Sequence, residues 1–111
     1  MAWSSELVEL VRGALARENV VEHGMFGALI FMVDSHMCCG VENDRMMVRV
    51  GPNAFEAFLH RSGVRPFDVT GKPLIGMIWV DPSVLRSKLQ VQGWVDAGLV
   101  FLRSLPSEKA A

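Results

Sequence analysis

The side chains best suited to metal binding or covalent chemistry are His23, His36, Cys38 and Cys39, with His60 further along the chain. His36-Met37-Cys38 is an i, i+2 pair, which puts two soft ligands on one face of a strand. A zinc site takes three or four such ligands, each held by outer partners, and neither C-x-x-C nor H-x-x-x-H occurs. A nucleophilic thiol needs a base and surroundings that lower its pKa. His23 or His36 could be that base, but the sequence marks no residue to orient either. Both thiols fall in an apolar stretch, where a thiol pKa rises, and strand alternation sends one into the core and the other to the second layer. Adjacent cysteines cannot pair without a strained ring, so no disulfide is expected, which fits a reducing compartment. The expectation is buried thiols acting as small apolar groups, with no metal, no cofactor and no catalytic residue.

Other candidates are weaker. Gly71-Lys72 resembles the end of a phosphate loop, but Pro66 stands where the motif's first glycine belongs and Pro73 where its Ser or Thr does. Glu42 and Asp44 flank a turn and read as solvated. Met25-Phe26-Gly27 is the most distinctive segment: two bulky side chains and a glycine entering a strand suggest a packing corner with Phe26 in the core. If the chain binds a small molecule or a metal, the candidate site is Met25, Phe26 and Gly27 with His23, His36 and Cys38.

These residues must be positioned by a mixed set of elements. Leu7, Leu10, Val11, Ala14 and Leu15 form one helical stripe behind a Ser4 or Ser5 cap, which predicts a helix over 5–17. From Val20 the pattern becomes β-rich. Strands are predicted over 28–33, 37–41 and 46–50, joined by Asp34-Ser35 and Glu42-Asn43-Asp44 as an antiparallel meander. Leu29 to Val33 are apolar without alternation, so both sheet faces should be covered, one by helices and the other by a partner or a further helix.

Pro52 opens a second helix, with Asn53 and Glu56 at capping-box spacing and Gly63 to close it. The stretch 64–76 reads as loop with a short edge strand near Phe67, and 77–80 as a strand. Asp81-Pro82 caps a last helical region whose stripe runs Val91, Trp94, Val95, Gly98, Leu99, Leu102, Leu105 until Pro106 stops it. Gly98 on that stripe predicts a close approach of another backbone. Val100 and Phe101 lie off the stripe and are the candidate dimer interface.

A chain of 111 residues holds one domain, 1–111, with 106–111 as a flexible tail. Half its residues are apolar, more than a small monomer needs, which points to a homodimer. The net charge is −1 and the basic residues are scattered, which argues against direct nucleic-acid binding. The first residues carry Glu6 and Glu9 and do not read as a signal peptide, and no apolar run is long enough for a membrane. The expected location is cytoplasmic.

In order and spacing, Met25-Phe26-Gly27, the strand Ala28–Val33, Met37-Cys38-Cys39-Gly40-Val41, Met46–Gly51, Arg65-Pro66-Phe67-Asp68, Gly71-Lys72-Pro73-Leu74 and Trp94-Val95 resemble the N-terminal domain of TfoX/Sxy competence regulators. The family's Met-Phe-Gly-Gly is here Met-Phe-Gly-Ala, and Glu22-His23-Gly24 precedes it where basic residues are common. The resemblance implies an α+β fold like that of type III secretion chaperones. That fold is an antiparallel sheet of four to five strands packed with N-terminal, middle and long C-terminal helices, often dimeric. It also implies a non-enzymatic regulatory or protein-interaction role with a partner in the transcription machinery, since these regulators act with the cAMP receptor protein. The full-length regulators carry a second, C-terminal domain and this chain ends before one could begin, so a stand-alone N-terminal domain is expected.

Overall fold

A computed structural model describes residues 3–25, 27–68 and 71–106. Helix α1 (Ser5–Ala14) is followed by strands β1 (Val20–Met25), β2 (Ala28–Val33), β3 (His36–Glu42) and β4 (Arg45–Arg49). Then come helix α2 (Pro52–Leu59), strands β5 (Val64–Asp68) and β6 (Pro73–Val80), a single 3₁₀ turn (Pro82–Val84) and helix α3 (Lys88–Arg103). Among the described residues the six strands form one antiparallel sheet in the order β1-β2-β3-β4-β6-β5. The chain is thus the expected α+β fold, with one strand more than expected. No described helix is long and apolar enough to cross a membrane.

The extra strand is β1. All six of its residues pair with β2, from Val20 with Val33 to Met25 with Ala28. Its side chains are mostly exposed, so main-chain pairing rather than an apolar pattern defines it. An edge strand of this kind leaves almost no hydrophobic signature. β6 starts at Pro73, earlier than its apolar run suggests, because its first residues are exposed and pair with the opposite edge strand β5. Pro66 lies on β5, as a proline in a sheet must lie on an edge.

The turns follow local chemistry. Asp34 and Ser35 both adopt positive φ, 49° and 72°, the conformation of a two-residue hairpin whose twist matches the strands. α1 stops at Ala14 rather than Arg17, where residues 15–17 turn back toward β1, and Ser4 caps its other end by accepting from the Leu7 amide at 3.2 Å. The capping box foreseen at Asn53 and Glu56 does not form. Gly51 is the N-cap of α2, at φ 84°, and no side chain bonds to its first turn. Nor does Gly63 close α2, which ends at Leu59; Gly63 instead leads into β5 at φ 79°. Ser87, not Asp81, caps α3, accepting from the Gln90 amide at 3.1 Å, and Asp81-Pro82 opens only the 3₁₀ turn.

All three helices lie on one face of the sheet. Leu7, Val8 and Val11 of α1, Phe55 of α2 and Val91, Val95 and Leu99 of α3 share one buried cluster with Phe31, Val41, Val48 and Ile78 of the strands. The closest approach is at Gly98. A Cβ there would stand 3.0 Å from both the carbonyl oxygen and the Sγ of Cys38, so α3 keeps this glycine because β3 passes directly beneath it. Gly93 on the same helix has nothing within 4 Å of its would-be Cβ.

Two glycine-to-alanine changes in α3 should therefore have opposite signs. Gly93→Ala should stabilise by about 1 kcal/mol, the ordinary helix-propensity gain. Gly98→Ala should destabilise by about 1–2 kcal/mol through overpacking, despite the same propensity gain. Denaturant midpoints of the two variants check this.

Candidate functional site

Strand β3 departs from regular pairing where the two cysteines lie. Phe31 pairs with Cys39 and Met32 with Met37, so Cys38 is an extra residue in a β-bulge. The bulge resets the alternation, and both thiols turn to the helix side, fully buried in the same cluster as Val91 and Leu99. The expectation of opposite faces is corrected here, since alternation holds only where every residue has a partner. A hydrogen bond shared with Cys38, together with complete burial, pushes the Cys39 thiol well above the usual range. Both cysteines are free and neither reaches solvent.

The other sequence candidates are dispersed. His23 is exposed on β1, paired across the ladder with Ile30 and hence on the sheet face away from the helices. His36 opens β3 and borders a shallow depression with Glu18, Leu99 and Arg103 at the far end of α3. His60 ends α2, its Nδ1 2.7 Å from the Glu56 carbonyl oxygen. Met25 is half exposed beside Gly27, which adopts φ 79°, while Phe26 lies outside the described residues. Cys38 is thus under α3, His36 at the end of the helix layer, and His23 and Met25 on the open side. Among the described residues no three of His, Cys, Asp and Glu gather in a way that could hold a metal ion.

What the structure does assemble is the sheet face without helices. Ala28, Ile30, Met47, Met77 and Trp79 form a second apolar cluster there, with Met32, Met37 and Phe67 packed against it. Methionine is unbranched and polarisable, so such side chains can lie over one another and shield a floor that no other described element covers. Phe67 stacks on Trp79 with ring centroids 4.9 Å apart, and the Arg45 guanidinium lies 3.6 Å from the Trp79 ring centroid. The centre of the face is a groove of about 580 Å³, running from Met25 past Met32 and Met47 to Ile75 and Phe101. Met25, Leu74 and Ile75 stay half exposed or more on its walls.

The electrostatics of this face are uneven. Arg45 pairs with Glu42 at 2.6 Å and Arg65 with Asp81 at 3.2 Å. Arg49, four residues along β4 from Arg45 and half buried, makes no ion pair among the described residues; its guanidinium lies 5.1 Å from the Phe101 ring centroid. Arg49 is also the single charged side chain among the described residues that line the groove. The sequence signal for this face was the missing alternation in β2. The methionines on β3, β4 and β6 carry no local sign of the face they take, which is set only by the register of the sheet.

Of the two candidate dimer residues, Val100 is 70% exposed on the outer side of α3, with Leu89 three turns earlier at 83%. Phe101 instead turns inward, lying against Gly51 so closely that a Cβ at Gly51 would run into its ring.

The burial of the thiols gives a direct check. In the folded chain both cysteines should resist a thiol-specific reagent at mildly alkaline pH, and both should react at once in denaturant. Rapid labelling of Cys38 or Cys39 without denaturant would place a thiol at the surface.

A family model described as the TfoX N-terminal domain matches residues 9–102, from within α1 to the last turn of α3. No curated protein and no solved structure matches the chain.

Proposed function

The chain belongs to the TfoX N-terminal domain family, and from that premise we propose that it is a non-enzymatic regulatory domain that works by binding. It acts in the cytoplasm as a homodimer, with a protein partner in the transcription machinery of the kind the family's link to competence regulation implies. One observation carries the reading: the sheet is apolar on both faces, but its helices cover only one. The floor of the open face is buried, but Met25, Leu74 and Ile75 stand exposed around its groove, and an apolar patch of that kind commonly marks a contact site. Besides His23 on the edge strand, the polar side chains this face offers are chiefly arginines with their partners, a set suited to docking rather than to bond making.

Self-association is assigned to the outer side of α3, where Leu89 and Val100 stand exposed on the same helical face. Phe101 contributes by holding the end of α3 against Gly51 rather than by touching a second copy. A second reading, a small-molecule-binding domain, is favoured by the groove, whose volume of about 580 Å³ falls in the ~300–1,000 Å³ range of small-molecule sites.

Sedimentation at high micromolar concentration should show a dimer. Val100→Glu should convert it to a monomer with stability unchanged within about 0.5 kcal/mol, as for other surface changes. Phe101→Glu should lower stability by roughly 2 kcal/mol or more, because it puts a charge against packed backbone. A wild-type chain that sediments strictly as a monomer contradicts the dimer. The tagged chain should also retain a stoichiometric protein from its host's lysate at high salt. Recovery of nucleic acid alone, and only at low salt, contradicts the interaction reading.

A further inference from the structure

We propose that the groove on the open sheet face binds a single-headed anionic amphiphile, such as a medium- or long-chain carboxylate, with its chain on the methionines and its head group on Arg49. The proposal rests on the second reading above and names the ligand class for that site.

Three features select this chemistry. The first is the floor and walls. Apart from one side chain the described lining is aliphatic, thioether or aromatic, and Met25, Met32, Met37, Met47 and Met77 supply much of it. Unbranched thioether side chains repack around a flexible chain more readily than around a rigid ring system.

The second is the state of the aromatics. Trp79, which a planar ligand would need as a platform, is already stacked on Phe67 and overlaid by Arg45. Flat heterocycles are therefore disfavoured, and with them nucleotides, which would also meet no carboxylate or amide side chain in the described lining.

The third is charge. Of the three arginines on this face, Arg45 and Arg65 are neutralised by Glu42 and Asp81, whereas Arg49 has no carboxylate partner among the described residues and lines the groove. A guanidinium presents a planar fork of donors that matches a carboxylate two bonds at a time. One unpaired cation in an otherwise apolar groove is complementary to a ligand with one anionic group and no further polar demands. Placing Arg49 at the Phe101 end leaves the stretch toward Met25 for the chain.

The test is a titration of the full chain, labelled at its methionine methyl groups, with myristate below its micellar concentration. The uncharged myristyl alcohol and the cationic tetradecylamine serve as matched probes. Saturable one-to-one binding of myristate should shift the methyl signals of Met25, Met32, Met37, Met47 and Met77. Met46, buried on the helix side of the same strand as Met47, should stay in place. Arg49→Gln should weaken myristate by about tenfold and leave the alcohol unchanged. Arg49→Lys should recover part of the loss. Arg65→Gln, which alters an arginine outside the groove, should bind as the parent does. Unmoved open-face methyls, equal affinity for all three probes, or an Arg49→Gln variant that binds myristate normally would each overturn the proposal. So would open-face methyls that shift with protein concentration alone, since a second copy would then cover the face; that outcome leaves the interaction reading standing while removing the ligand.

Discussion

A sheet that is apolar on both faces has to be shielded twice, and in this fold α1, α2 and α3 are all used up on one side. That asymmetry governs the rest of the molecule. The helix side behaves as an ordinary core, closed by branched and aromatic side chains and fixed by the approach of α3 to β3 at Gly98. Among the described residues the other side has only its own side chains for cover. Long, flexible methionines lie across Ile30, Met47 and Met77, and a paired arginine and a stacked phenylalanine shelter Trp79. The result is a face that is dry at its floor and still concave, which is what a binding surface requires.

The β-bulge at Cys38 shows how the two sides are kept distinct. One extra residue in β3 turns both thiols toward α3 and leaves Met37 on the open face across from Met32. Cys38 then sets the distance at which α3 can pass, and both thiols are buried in that contact. The same register places Arg45, Met47 and Arg49 on the open side of β4, with Met46 and Val48 on the helix side. β4 thereby supplies both Met47 of the apolar floor and the cation of the groove, Arg49.

Much of this was legible in the residues, and the parts that were not have physical reasons. α1, the β2–β4 meander and α3 declare themselves through apolar periodicity, and Gly98 through its presence on a buried stripe. β1 carries Glu22, His23 and Gly24 and buries little, so its strand character comes from pairing that no local pattern encodes. The candidate group His23, His36 and Cys38 was drawn from nearness along the chain. A hairpin sends such neighbours to different edges and faces, and a bulge reverses one of them. The groove could not be read locally, because its walls come from β1, β6 and α3, and only the non-alternating run in β2 hinted at a second covered face. Val100 and Phe101 looked equivalent by spacing. Gly51, whose positive φ brings the chain under Phe101, separates them.

The central claim is that the face without helices is a binding surface. Methionine oxidation, read by peptide mass spectrometry on the purified chain and on the chain in its host's lysate, tests it most directly. Met25, Met32 and Met37 should oxidise readily in the purified chain and be protected in the lysate, while Met46 stays unreactive in both. Equal oxidation of the three open-face methionines in both samples would mean that nothing covers this face, and would contradict the account.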